Sequence, residues 1–526
     1  MLTNYIKEEF IEMRRVSGKI QSLLWVALFL FVITSCATRR QPVSPERGKD
    51  AKHEFRGAWI QTAFQSEYQS MSPAEMKKSF MRKLDYLQSC GINAIIFQVR
   101  PEADAFYHSE LEPYSRFFTG EQGVAPEGGF DPMAFLIEEC HRRNMEFHAW
   151  LNPYRVSTGG RTDFAPSHVY YRHPEWFVEY NKQILFDPGR PESRQFICSV
   201  VRDIVLRYDV DAIHMDDYFY PYPAPGLSFP DDESFYQYGL SKGYKESQRG
   251  DWRRENVNQL IRELKRTILL VKPWVRFGIS PFGIYRNKKS TPDGSGSETN
   301  GLQNYDDLYA DITYWAKQGW IDYTMPQIYW EIGHSAADYT TLLEWWNKHT
   351  NGRPLYVGQD VARTMKARQL TQKMRQERSQ LNISGHCFWP ANELLWNNGG
   401  VADSLRQNYH RYPALIPAYT HLHNRPPEEV KKLKGEWTPE GYLLHWQAEQ
   451  SELNPELARY FVIYRFGKGE PIDLSNPAHI VATTRNLHYF VPYDKNDHNH
   501  TFHYVVTAVD RFHNESLKGK GKKVKL

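Results

Sequence analysis

Several features are scarce in this 526-residue sequence, and each scarcity closes off a class of protein. Net charge is small: 65 Lys and Arg face 62 Asp and Glu, leaving +3. That balance excludes a dedicated nucleic-acid binder, which needs a clear cationic excess. The five cysteines (Cys36, Cys90, Cys140, Cys198 and Cys387) lie far apart and form no Cys-x-x-Cys pair. Structural zinc spacing and a disulfide framework are therefore not expected, and the last four read as buried free thiols. The main apolar run, Leu23 to Ile33, is short for a membrane span. No Gly-x-Gly-x-x-Gly follows the first strand-like run, and that run carries no His-x-His. These absences argue against a dinucleotide fold and against a barrel metal hydrolase, so no metal or other cofactor is expected. Aromatic residues, in contrast, are plentiful at 14%, with 15 Trp and 33 Tyr. Such rings fill large cores or lie flat against sugars.

The N-terminus reads as an address. Lys7, Arg14, Arg15 and Lys19 precede "LLWVALFLFVI", and "TSC" then ends at Cys36 before a polar stretch. A basic region, an apolar core and small residues before a cut describe a secretory signal. The ending I-T-S-C resembles the lipobox of bacterial lipoproteins. The resemblance implies acylation of Cys36, export, and a lipid anchor holding the chain to the cell-envelope membrane. The alternative is a plain signal with an incidental cysteine.

From Glu54 to about Arg411, eight short apolar runs alternate with longer amphipathic stretches. The runs are "FRGAWIQT", "INAIIFQVR", "EFHAWLNPYR", "VDAIHMDDYFY", "RFGISPFGI", "IDYTMPQIYW", "PLYVGQDVA" and "GHCFWPANELLW". Strand then helix, eight times, predicts an α/β fold of the (β/α)8 TIM-barrel type. After "HNRPPEEV" the pattern changes to period two, in "GYLLHWQ", "RYFVIYRF", "HIVATTR" and "TFHYVVTAVD". These short strands predict a small all-β sandwich. The stretch "YVVTAVDRFHNES" resembles the last two strands of fibronectin type III domains, and the closing "KGKGKKVKL" reads as a mobile basic tail. The expected organisation is a lipoprotein signal over residues 1–36, a linker over 37–53, the barrel over 54–424, and the sandwich with its tail over 425–526. A monomer is expected.

Side-chain parity locates a site. Alternate residues of a barrel strand face the helices and the interior, and chemistry gathers at the strands' C-terminal ends. If Ile213 and Met215 pack under helices, then Ala212, His214 and Asp216 face inward, with Asp217 on the rim. If Ile95, Phe97 and Val99 face out, Gln98, Arg100 and Glu102 face the mouth. His148, Trp150, Asn152 and Tyr154 share the inward side of the third run, and Met325, Gln327, Tyr329 and Glu331 that of the sixth. Ser280, Asp360 and Trp389 complete the candidates. Several strands turning polar at one end predict a wet, aromatic-lined pocket. The competing reading is a buried polar network that satisfies only itself.

Carboxylates beside aromatic rings suit glycoside cleavage, in which one carboxyl protonates the leaving oxygen and a second attacks the sugar or activates water. Asp216 is the candidate nucleophile or charge stabiliser. Asp217 is a substrate ligand, or a like charge that raises the pKa of Asp216. Glu331, Glu102 and Asp104 compete for the acid/base role. Arg100, Asn152, Tyr154, Arg155, Tyr218, Gln327 and Tyr329 are candidate hydroxyl binders, and His148 faces the same interior. One or two of Trp59, Trp150, Trp330 and Trp389 are candidate stacking platforms. His148 and His214 read as hydrogen-bonded interior residues rather than metal ligands.

The blocks "EFRGAWIQT", "GINAIIFQVRPEADAFY", "HAWLNPYRV", "VDAIHMDDYFYPYP", "GISPFGIYRN" and "DYTMPQIYW" resemble the glycosyl hydrolase-like 10 family, over roughly Glu54 to Arg411. The resemblance implies a TIM barrel acting on glycans, and for that family peptidoglycan strands stripped of their peptides. It falls on Asp216 and Asp217, on Asn152, Tyr154 and Arg155, and on Gln327, Tyr329 and Trp330. Asp104 matches an acidic family position. Glu102 stands where the family more often has a small or neutral residue, and Glu331 lies just beyond the matching block. The expected function is an envelope glycosidase cutting a glycan polymer. Its alternatives are the same chemistry on an environmental or host polysaccharide, and a lipoprotein that binds glycan without cutting it.

Overall fold

The computed structural model describes residues 50–492 and 495–526; the signal segment and Cys36 lie outside them. Eight parallel strands close into a barrel: β1 (Phe55–Ile60), β2 (Ala94–Arg100), β3 (Glu146–Leu151), β6 (Ala212–Met215), β7 (Arg276–Ile279), β8 (Tyr323–Thr324), β9 (Leu355–Asp360) and β10 (Ile383–Trp389). All eight apolar runs supply one strand each. Between β3 and β6 stands an unforeseen hairpin, β4 (Phe177–Tyr180) with β5 (Gln183–Phe186). Around the ring the order is β1, β10, β9, β8, β7, β6, β3, β2. Helices such as Pro73–Ser89, Pro132–Arg142 and Pro191–Arg207 cover the outside. The first two start where the sequence supplies a cap: Ser72 with Glu75 in a capping box, and Asp131, each followed by a helix-initiating proline. Cys90, Cys140, Cys198 and Cys387 are all free.

Parity along the strands decides which side chains meet. Ile95, Phe97, Val99, Ile213 and Met215 pack beneath the helices. Phe55, Trp59, Ala94, Ile96, Trp150, Ala212, Tyr323, Met325, Tyr356 and Cys387 fill the interior. Gly278 makes room for the most central of these. A Cβ there would sit 1.9 Å from the Tyr323 ring, so no larger residue fits while Tyr323 occupies the axis.

A line of hydrogen bonds runs along that axis. The Trp59 indole N–H meets His214 Nε2 at 3.3 Å, and Ser280 Oγ meets the same nitrogen at 3.0 Å. His214 Nδ1 lies 3.0 Å from the Tyr323 hydroxyl, which lies 2.8 Å from His148 Nδ1. His148 Nε2 lies 2.9 Å from Glu146. Only one proton arrangement satisfies every member. His214 accepts at Nε2 and donates at Nδ1, Tyr323 donates to His148, and His148 donates to the Glu146 carboxylate. Burial pushes both imidazoles down, so both stay neutral, as this arrangement requires.

Below Glu146 the barrel is floored. Ile416 and Tyr419, from the segment after the last barrel helix, join the interior cluster, and the Tyr419 hydroxyl meets that of Tyr356 at 2.6 Å. Two antiparallel sheets follow. One orders β11 (Lys431–Thr438), β12 (Gly441–Gln447) and β15 (His488–Val491). The other orders β14 (Ile480–Thr484), β13 (Tyr460–Phe466), β16 (Thr501–Val509) and β17 (Lys520–Lys525). Leu444 and Trp446 of the first sheet share a core with Phe461, Ile463, Val506 and Val524 of the second. The expected mobile tail is strand β17. Its main chain pairs with β16 and Val524 is buried, while exposed lysines blunt the sheet edge against further pairing.

Candidate active site

The C-terminal ends of the barrel strands surround an open cleft of about 250 Å³. β6 ends at Met215, and the next two residues, Asp216 and Asp217, line the cleft while remaining 4% and 2% exposed. β1 and its extension bring Trp59, Gln61 and Phe64; β2 brings Gln98; β3 brings Trp150 and, just beyond it, Arg155. Tyr218, Ser280, Gln327, Tyr329 and Trp389 complete the wall.

The two carboxyls are held differently. Asp216 accepts from the Asn152 amide and, at 3.2 Å, from the Trp150 indole N–H. Asn152 is fully buried, and its amide oxygen takes Gln98 Nε2 at 2.7 Å and the Arg155 guanidinium at 2.6 Å. Those two donors fix the amide, so its NH2 group can face only Asp216. Gln98 is clamped in turn, since its Oε1 accepts from the backbone N–H groups of Thr62 at 2.9 Å and Ala63 at 2.8 Å. Asp217 accepts from the Tyr222 hydroxyl and, at 2.9 Å, from Gln327 Nε2. Burial, and then the like charge of Asp217, push the Asp216 carboxyl from the ordinary 3.8 up to about 7. Burial also raises Asp217, against the hydrogen bonds from Tyr222 and Gln327. The pair thus offers one group that keeps a proton near neutrality beside one with two good donors to support a negative charge.

The cleft gathers Asp216, Asp217, Trp59, Gln98, Trp150, Arg155, Tyr218, Ser280, Gln327, Tyr329 and Trp389 from the residues singled out in the sequence, with Asn152 directly behind them. The other candidates lie elsewhere. Glu102 is buried against Arg116 at 2.9 Å and Thr158 at 2.5 Å. Asp104 accepts from Gln122 at 3.0 Å and from the backbone of Glu102; burial raises it to about 6, but it does not line the cleft. Glu331 lies past the rim, where its charge acts on Lys373. The Arg100 guanidinium is fully buried in a pair with Glu112 at 2.6 Å and in bonds to the carbonyls of Asn152 and Pro153. It positions the loop after β3 and reaches no ligand. Tyr154 is 1% exposed within the outer core, and His148 belongs to the axis below the cleft. Trp330 packs outside the cleft, edge to face with Phe282 at 5.4 Å. Parity failed at Arg100, which follows a register shift after Gln98 and pairs with outward-facing Leu151, and at Tyr154, which packs in the outer core; His148 faces inward but lies too deep.

Three contributors escaped the sequence reading: Gln61, Phe64 and Tyr222. Phe64 is 68% exposed and sits in the left-handed region at φ 61°. An aromatic ring held out from a strained residue at a cleft rim is a signal visible only in three dimensions. Among the described residues one group has metal-ligand proximity, Glu54 with His386 and His410. It lies away from the cleft, and its atoms are committed: Glu54 pairs with Arg56 and Arg378, and the two imidazoles bond each other at 2.9 Å.

Comparison with known proteins agrees with this architecture. Residues 54–376 match the family described as Glycosyl hydrolase-like 10. The chain is 40% identical over 490 residues to Glycosyl hydrolase YngK of Bacillus subtilis, covering 89% of this chain and 92% of that one. It is 37% identical over 337 residues to Glycosyl hydrolase DigH of Escherichia coli K12, covering 60% and 74%. Among solved structures, the glycoside hydrolase domain of PgaB (BpsB) from Bordetella bronchiseptica aligns at TM-score 0.45 and 10% identity, over 67% of this chain and 98% of that one. A likeness that distant carries no argument about the site. The family match and the extended identity to YngK do: this chain belongs to the glycosyl hydrolase-like 10 family and is a glycosidase.

Proposed function

We propose that this glycosidase cuts the glycan strands of bacterial peptidoglycan, with Asp216 as general acid and Asp217 as its ionised partner. The observation that carries the proposal is the pair itself: two adjacent buried carboxyls, unequally hydrogen-bonded, at the base of an aromatic-walled cleft. A group raised to about 7 holds the proton that a departing sugar oxygen needs, which suits Asp216 to proton transfer better than to the ionised nucleophile or charge stabiliser expected from the sequence. Tyr329, Trp389 and the exposed Phe64 offer faces to pyranose rings, and Arg155 and Gln327 offer fork and amide donors to hydroxyls. The signal-like N-terminus with Cys36 would hold the enzyme by a lipid anchor facing wall glycan. In the same reading the sandwich is fibronectin type III-like, since three strands face four in the order such domains use.

The test sets the wild type and Asp216→Asn against peptide-free peptidoglycan strands and a panel of plant and host polysaccharides, scoring new reducing ends and binding. New ends from wall strands with the wild type, and binding without cutting by the variant, are expected. Cutting of another polysaccharide but not of wall strands would transfer the same chemistry to that polymer. Equal cutting by both proteins would remove Asp216 from the chemistry.

A further inference from the structure

The two carboxyls are consecutive residues on one wall, and among the described residues that line the cleft they are the only carboxyls. A covalent mechanism needs a carboxylate on the far face of the sugar from the acid, with the two about 5–5.5 Å apart across the scissile bond; an inverting one needs a base there with room for water. The far face is furnished otherwise. β10, four strands around the ring from β6, presents Trp389; β1 presents Trp59 and β2 presents Gln98. Trp389 meets Trp59 at 6.5 Å and 75°, and Trp150 at 6.0 Å and 76°. Two of these three indoles have their N–H groups committed, Trp59 to His214 and Trp150 to Asp216. What they offer the cleft is apolar ring surface: a box for a small methyl-bearing group beside two carboxyls.

From this geometry we infer that the missing nucleophile is supplied by the substrate: the cleft takes a 2-acetamido sugar whose amide oxygen attacks its own anomeric carbon, with the acetamido methyl in the Trp59, Trp150 and Trp389 box. This rests on the wall-glycan reading, because the sugars of peptidoglycan carry that group. In the first step the amide oxygen bonds to C1 and the bond from C1 to the leaving oxygen breaks. Its electron pair goes to that oxygen, which takes the proton of Asp216. The bicyclic oxazolinium so formed keeps its N–H and carries the positive charge. Asp217 accepts that N–H and offsets the charge, its own geometry fixed by Tyr222 and Gln327. In the second step water bonds to C1 and gives a proton to Asp216, while the C1 bond to the amide oxygen breaks and its electron pair returns to the amide. One water is consumed, one glycosidic bond is cut, both carboxyls are regenerated, and the anomeric configuration is retained.

The experiment uses peptide-free peptidoglycan strands in three forms: native, chemically de-N-acetylated, and de-N-acetylated then re-acetylated. New reducing ends are scored for each, and the anomer first released from native strands is read by proton NMR. Native and re-acetylated strands should be cut with retention, and de-N-acetylated strands about a thousand-fold more slowly or not at all, as expected on losing an intramolecular nucleophile. A sugar thiazoline that mimics the bicyclic ion should inhibit the wild type and bind Asp217→Asn at least about tenfold more weakly. Comparable cutting of de-N-acetylated strands, inversion at C1, or no inhibition by the thiazoline overturns the inference and leaves the wall-glycan reading standing. Failure to cut any of the three strands overturns the wall-glycan reading and this inference with it.

Discussion

Replacing Asp216 by Asn should abolish cutting and also stabilise the fold in a pH-dependent way. The native carboxyl keeps its proton up to about 7, whereas in the unfolded chain it loses it near 3.8. Between those values the unfolded chain binds fewer protons than the folded one, so rising pH removes stability across that window and the full penalty stands above about pH 7. At about 1.4 kcal/mol per tenfold, the penalty is about 4 kcal/mol as an upper bound. Arg155's attraction is already contained in that value, so the expected gain is about 2–4 kcal/mol, up to the bound. The amide can be accommodated. Its oxygen can take the bonds from Asn152 and Trp150, and its NH2 replaces an oxygen that accepts only a long 3.4 Å contact from the Tyr218 N–H. For a chain of this length about 1 kcal/mol corresponds to about 1 °C, so Tm should rise by about 2–4 °C at about pH 8.5. The gain should shrink steadily as pH falls towards about 4.5. Thermal melts of both proteins across that range are the assay. A variant no more stable than the wild type at alkaline pH, or a gain independent of pH, would refute the account of why this carboxyl holds its proton.

Asp217→Asn removes the like charge beside Asp216, so the alkaline limb of kcat/KM should move to lower pH while kcat falls about a hundredfold or more; an unmoved limb would show that the two groups do not interact. Glu331→Gln should leave kcat/KM within about twofold, because that side chain lies past the rim, and a larger loss would reinstate it as an acid/base group. Glu146→Ala should lower the unfolding free energy by about 3–5 kcal/mol in urea titration. Although burial disfavours its charge, Arg276 and His513 hold the Glu146 carboxyl well below the usual range, and its loss strands the buried Arg276 guanidinium. A cost under about 1 kcal/mol would mean the axis does not depend on its floor.

Glu146 also ties the C-terminal sandwich to the barrel. His513, from the turn after β16, meets Glu146 at 2.5 Å, and Arg459 and Arg511 pair with Asp209 at 2.7 and 2.9 Å. The sandwich closes the end of the barrel opposite the cleft, and one line of hydrogen bonds joins His513 through Glu146, His148, Tyr323 and His214 to Trp59 in the cleft wall. Truncation after Arg425 would uncover that floor.

The sequence alone determined the eight barrel strands, the inward side of most of them, and the end at which polar groups collect. These follow from period and parity, which are local and repeat along the chain. It also brought forward Asp216 and Asp217, because both the block and its position at a strand end point to them. Depth was beyond it. His148 and Asn152 share the inward side, yet they lie beneath the cleft or behind it, while Arg100 and Tyr154 turn into the packing under the helices. How far a side chain stands from the mouth depends on the stagger of neighbouring strands and on which partners reach it first. The lysine-rich β11 and β17 were missed for a related reason: their pairing is made by the main chain, and their exposed side chains carry no hydrophobic alternation. Only the closed ring could show that the wall facing the two carboxyls is built of indole rings. That juxtaposition joins residues as far apart as Trp59 and Trp389, whose nearness no local pattern encodes.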